Sequence, residues 1–374
     1  MRTLDAPDAA GDPPRPPAPS RVHRFGIEEE FVFLDPATMK PEPVGAAALA
    51  EARAAGFPGA TSEFLASQIE FATGIEHDGA EAILDLRDFR RAIARIAAGL
   101  GVIAAATGAP FEADAAPAVS ADERYGRIGD DIGAMVDDHQ VCGMHVHLGV
   151  DRPSDRLIVL NGLRAWMPLL IALTGNSPFW HGVDTGFASW RTIVMRRWPT
   201  TGIPAPFTDL HDYERRIAEL EGFGITRDRA LVAWMLRISH HLPTVELRCA
   251  DTQLTADDSV AVALLARRIA RGSLRQGLLA VGHHDGFSTE LIDAATWEAA
   301  RLGRDARIPD PLRGGVAPVE RVLASALEMS DDDDGCVEAV SALLQRGTGA
   351  ERQRSAYAAH GVEGVRACVA ASVD

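Results

Sequence analysis

Residues 25–35 read FGIEEEFVFLD, and the fold turns on how the three consecutive glutamates are taken. Aromatic and branched side chains, closed by the turn-prone pair Asp35-Pro36, make the run a strand. Neighbouring residues of a strand point to opposite faces. Glu28 and Glu30 therefore share one face, and Glu29 lies on the other with Ile27, Phe31 and Phe33. The pattern recurs along the chain. CGMHVHLGV at 142–150 reads as a strand with His145 and His147 on one face, PTVELRCAD at 243–251 aligns Glu246 with Arg248, and SEFLASQIEFATG at 62–74 sets Glu70 between Ile69 and Phe71.

Alternating charge on a single strand is ordinary when one face meets solvent. Four such strands in one chain are less ordinary, because carboxylates gathered on one sheet face repel and raise each other's pKa unless cations neutralise them. A divalent metal is the obvious neutraliser. Carboxylate oxygens suit magnesium or manganese, and imidazole is better tolerated by manganese or zinc. Arg248, two residues from Glu246, sets a fixed cation beside such metals, able to hold a phosphate through charge-assisted hydrogen bonds. Together these groups form a kit for phosphoryl transfer. The stretch 175–207 is too long for a simple connector, and long loops commonly carry function. It brings Arg191, Arg196 and Arg197 among Trp190, Trp198 and Pro199, a rigid setting for guanidinium groups that bind carboxylate or phosphate. Arg237 is a further candidate of this kind, whereas His240 and His241, whose spacing suits no single face, read as structural.

Elsewhere, apolar residues Ile83, Leu86, Phe89, Ile93 and Ile96 recur at helical spacing within 77–98. Helices are also expected near 43–56, 128–138, 154–174, 257–282, 289–302, 316–328 and 335–346. Residues 1–20, rich in proline, read as a disordered tail, and residues 21–374 as a single α+β domain. With 47% hydrophobic residues the chain can bury a substantial core. Its 53 acids against 37 bases, a formal charge of -16, argue against nucleic acid or an anionic membrane surface as partner. No stretch reads as a membrane span or secretory signal, and Cys142, Cys249, Cys336 and Cys368 fit neither a zinc motif nor a disulfide framework. A cytoplasmic enzyme of small molecules is the expectation, with a homo-oligomer favoured by base rates. P-loop, dinucleotide-binding and nucleophile-elbow motifs are absent.

Six segments, GIEEEF (26–31), SQIEFATG (67–74), GMHVHLG (143–149), LTGNSPFWHGVDTGFASWR (173–191), RWPTTG (197–202) and PTVELRCAD (243–251), occur in an order that resembles the glutamate-cysteine ligase type 2 family. Within it the chain is most similar to the YbdK-like carboxylate-amine ligases. The resemblance implies a glutamine synthetase-like fold, a curved antiparallel sheet flanked by helices, and an ADP-forming ligase that uses ATP and Mg2+ (or Mn2+) to pass through an acyl phosphate, with glutamate and cysteine as first substrates. It implies metal binding by Glu28, Glu30, Glu70, His145 and Glu246, and contact of Arg248 with the transferring phosphoryl group. His147, Arg191, Arg197 and Arg237 are then candidates for substrate or nucleotide. Such ligases often carry an acid where this chain has Met235. The alternatives are a metal-dependent amidohydrolase, since H-x-H on a strand also opens such zinc sites, and a non-catalytic relative that binds a ligand.

Overall fold

The computed structural model describes residues 21–226, 229–279, 286–331 and 335–371; the expected tail at 1–20 lies outside them. Its centre is a seven-stranded sheet in which every pairing is antiparallel. The strands are β1 (Phe25–Leu34), β2 (Ala60–Ser62), β3 (Gln68–Ala72), β4 (Ile103–Ala105), β5 (Gly143–Gly149), β8 (Leu236–Ile238) and β9 (Thr244–Asp251), with a ribbon of β6 (Phe179–Trp180) and β7 (Val183–Asp184) apart from them. They are ordered β2-β3-β1-β5-β9-β8, and β4 pairs with the far end of β1. The antiparallel sheet with flanking helices expected from the sequence is thus observed.

One face of the sheet is packed. Ile27, Phe31 and Phe33 of β1 are buried in the main core, covered by the helices Gly79–Gly99 and Ala256–Leu279. Helix Gly79–Gly99 is capped by Asp78, whose carboxylate accepts from Ala80 N, and it buries Ala82, Leu86, Phe89, Ile93 and Ile96 at the spacing of one face. Phe89 stacks on Phe71 of β3, ring centroids 4.1 Å apart.

Glu29 sits in this apolar layer, fully buried. Arg90, from the covering helix, grips it with Nε at 3.0 Å and Nη2 at 2.6 Å, and Ser259 Oγ donates to the same carboxylate. Two further Arg90 protons go to the carbonyls of Leu254 and Gln253. Both ions are thereby satisfied, and strand, helix and the 253–259 turn are tied at one point.

The helical run expected near 154–174 is present as Pro153–Thr174 and, contrary to the expectation that no stretch reads as a membrane span, is long and apolar enough to cross a bilayer, yet 83% of its most apolar window is buried inside the protein. It packs against β9 and helix Ala256–Leu279 as a core element. Among the described residues, three helices escaped the periodicity: the short Trp190–Met195, Leu210–Phe223, and Gly349–Val369, which kinks at Gly361 (φ 61°) and buries only scattered positions.

Replacing Arg90 by Met strands the Glu29 carboxylate in the core. The expected loss of unfolding free energy is about 3–5 kcal/mol, measured by urea denaturation, with much of it recovered when Glu29→Met is added.

Candidate active site

The second face of the sheet carries the charge. Register sets Glu30 of β1 against Glu70 of β3, Glu28 against His145 of β5, His147 against Glu246 of β9, and Glu246 against Arg237 of β8. A β-bulge puts Arg248 and Cys249 of β9 opposite His145. Beyond it Asp251 pairs with Gly143 instead of continuing the simple alternation. These groups floor a cleft of about 730 Å³ lined by Glu28, Glu30, Glu70, His145, His147, Arg191, Arg237, Glu246 and Arg248. Arg197 is not among the lining residues; it pairs with Asp138 at 2.7 Å. Arg196 pairs with Asp293.

Among the described residues, three groups of side chains bring ligand atoms within 4.8 Å of one another: Glu28, Glu70 and His145; Glu28, His147 and Glu246; and Glu30, Glu63 and Glu70. Glu63 was not anticipated. It precedes β3 outside any regular alternation, and only the fold of 62–68 delivers it; its proximity to Glu30 and Glu70 had no counterpart in spacing. His240 and His241, taken as structural, instead stand exposed at the rim of the cleft, because the Ser239–Pro243 turn joins β8 to β9 at the open end of the sheet.

The electrostatics divide the floor into two halves. Burial pushes the Glu28 carboxyl up, but hydrogen bonds to His145 and His147 and their charge overcome this and hold it well below the usual range. For Glu246 burial is likewise outweighed, here by Arg248 and Arg237, and its pKa falls. Arg237 engages it with Nε at 2.7 Å and Nη2 at 3.1 Å, and Arg248 Nη1 donates to the same carboxylate. In the other half Arg248 and Arg124 oppose the burial of Glu63 but do not outweigh it. Burial, then the Glu30 charge, pushes Glu63 up to about 8, and burial with Glu28, Glu63 and Glu30 raises Glu70 well above its ordinary value.

This donor set fits divalent cations. Glu30, Glu63 and Glu70 offer only hard oxygens, as magnesium prefers, and their mutual repulsion is what a cation relieves. His147 Nδ1 hydrogen-bonds with Thr244 Oγ1 at 3.0 Å, and its buried Nε2 faces Glu28 Oε1 at 3.1 Å. A ring nitrogen oriented by a hydroxyl and set against a carboxylate is an arrangement that a metal can take over.

Arg191 reaches the cleft from helix Trp190–Met195, which Ser189 caps. Asp251, buried in β9, accepts from Asn176 N, Ser177 Oγ and Ser189 Oγ at 2.7–2.8 Å. Ser177 Oγ in turn accepts from Arg191 N. The guanidinium crosses Gly143, where an added Cβ would lie 2.3 Å from Nη2, and donates to the Arg248 carbonyl. Met235, at the position where an acid was looked for, is buried under the sheet with its backbone tied to Gly202 and Arg248.

Among solved structures, the architecture matches a glutamate–cysteine ligase from Francisella tularensis determined in complex with AMP (TM-score 0.65, 13% identity, 92% of this chain and 87% of that one). It also matches a bifunctional glutathione synthetase from Pasteurella multocida (TM-score 0.63, 16% identity, 92% and 51%). The fold is therefore that of the glutamate–cysteine ligases. Residues 24–370 match glutamate-cysteine ligase family 2. A relative from Saccharopolyspora erythraea, provisionally named glutamate–cysteine ligase 2-2, is 38% identical over 93% of this chain and 92% of its own length. One of the same provisional name from Frankia alni is 35% identical over 91% and 94%. The chain belongs to glutamate-cysteine ligase family 2 and is a carboxylate-amine ligase of that type.

Glu63→Gln removes one of three clustered oxygens and should weaken Mn2+ binding at least about tenfold. Calorimetric titration of the purified protein measures it, with circular dichroism expected to be unchanged.

Proposed function

We propose that the chain is an ATP-dependent ligase that joins an amino-acid carboxylate, glutamate first, to an amine, with cysteine accepted weakly. The carrying observation is the continuous row of Glu70, Glu30, Glu28, His145, His147 and Glu246 beside Arg248 and Arg237, the arrangement a charge-dense phosphoryl transfer requires. The relatives' names supply glutamate and cysteine, and the AMP complex of the structural neighbour is in keeping with a nucleotide.

A second, mainly apolar pocket of about 290 Å³ opens beside the row, lined by Phe25, Ile27, Ala72, Ile75 and Leu242 and sharing Glu28 and His147 with the cleft. The nucleotide base is proposed to sit there, which directs the phosphates across Glu28, His147 and Glu246 toward Arg248. Magnesium, when held by the acidic row, supplies charge neutralisation of the phosphate oxygens. A substrate carboxylate oxygen attacks the γ-phosphorus, the bond to the β-phosphate oxygen breaks and ADP leaves. Arg248 is placed to stabilise the charge on the transferring group. Arg191 and Arg237 hold and orient the anionic parts of the acid, so that the reacting atoms meet in line. The amine then displaces phosphate from the acyl carbon, giving the amide.

Glu30→Gln and Glu246→Gln should each abolish ADP release in the presence of glutamate and cysteine while the circular dichroism spectrum and cooperative melting persist; full turnover in both would refute the assignment. Ala72→Phe, which intrudes on the apolar pocket, should raise the KM for ATP and leave kcat at saturating ATP little changed.

A further inference from the structure

The geometry points to an amine substrate whose body is aromatic or bulky and apolar, larger than the side chain of cysteine, seated against Phe64, Tyr125, Ile128, His139, Trp198 and Leu231. All six line the cleft, at its Glu63 end. This rests on the ligase reading above and specifies its second substrate.

The wall is assembled from separate parts of the chain: the residue after Glu63, helix Glu123–Ile132, the turn at His139, the loop at Trp198 and the short helix Arg229–Leu231. It is rigid. Phe64 meets Tyr125 and His139 edge to face at 6.1 and 5.8 Å between centroids, and His139 meets Trp198 at 5.0 Å. Tyr125 Oη donates to the Ser62 carbonyl at 2.9 Å, and Trp198 Nε1 donates to His139 Nδ1 at 3.1 Å. Accepting that hydrogen bond requires an unprotonated Nδ1 and so a neutral His139 ring, and burial, reinforced by Arg191 and Arg197, lowers its pKa to about 3. The imidazole therefore behaves as another uncharged aromatic face.

Helix Glu123–Ile132 buries only Ile128, which joins Phe64 and Leu65 in a small cluster of its own, apart from the main core, with Tyr125, Trp198 and Leu231 half-buried around it. Apolar surface facing a water-filled cleft is unfavourable by roughly 25 cal/mol per Å², a cost that an apolar ligand removes. A thiol side chain covers little of such a wall.

Position decides which substrate occupies it. The acid, an anion, is drawn to Arg191, Arg237 and Arg248. The wall, beside the metal-binding carboxyls of Glu30, Glu63 and Glu70, lies across the floor from the apolar pocket next to His147, so an amine seated there leaves that pocket to the nucleotide. In the bond-forming step the deprotonated amine nitrogen attacks the acyl carbon, the carbon–oxygen bond to phosphate breaks, phosphate leaves, and the nitrogen loses its remaining extra proton. No further reactant is needed.

The test is phosphate release by the full-length enzyme with Mg2+, ATP and glutamate, offering cysteine, alanine, phenylalanine or phenethylamine in turn, with product masses recorded. Phenylalanine or phenethylamine is expected to exceed cysteine in kcat/KM by at least about tenfold. Trp198→Ala and, separately, Tyr125→Ala should each erase most of that preference. Turnover in which cysteine equals or surpasses both aromatic amines overturns the inference and leaves the ligase reading standing. Undiminished aromatic preference in both variants overturns the placement, and no phosphate release with any amine overturns both readings.

Discussion

Repulsion among acids held on one face of an antiparallel sheet is the constraint on which this structure depends. Glu28, Glu30, Glu63 and Glu70 are drawn together by strand register and one preceding turn, in a setting where burial raises Glu63 and Glu70. A protein chain supplies such crowding at a cost in stability, and the cost is met only where cations enter. On the Glu246 side, Arg237 and Arg248 already provide them. On the Glu63 side Arg124 and Arg248 do not outweigh burial, which marks that half as the one with the strongest demand for a metal.

The opposite face of the same strand solves a related problem differently. Glu29 is as acidic as its neighbours, but it points into the core, where no exchangeable ion can reach it. A dedicated arginine, Arg90, and Ser259 neutralise and hydrogen-bond it permanently. One glutamate of the triplet is thus a fixed structural clamp between sheet and helices, while its two neighbours remain open to ligands. The alternation of a strand separates the two roles by a single residue.

Delivery of Arg191 shows how the core and the site are coupled. Gly143 leaves the space, the bulge in β9 redirects the chain, and buried Asp251 holds Ser177 and Ser189 so that the short helix begins where its guanidinium crosses the sheet. The long stretch at 175–207 was legible as more than a connector, but the sequence put Arg197 forward beside Arg191 as a candidate for the site. Arg191 enters the cleft, whereas Arg196 and Arg197 are consumed by Asp293 and Asp138. The acids that take them lie far along the chain, and nothing in local spacing announces such partners.

Period-two alternation by itself determined that Glu28, Glu30, Glu70, His145, His147, Glu246 and Arg248 lie on strand faces, and helical spacing determined the helix that covers β1, because both are properties of local backbone geometry. Which strands are neighbours, and so which acids share an ion, was decided only by the tertiary structure. So were the arrival of Glu63, the exposure of His240 and His241 at the rim, and the aromatic wall built around Trp198. Each depends on contacts between residues distant in the chain, whose energy is set by packing and charge in three dimensions and leaves no periodic trace in the sequence.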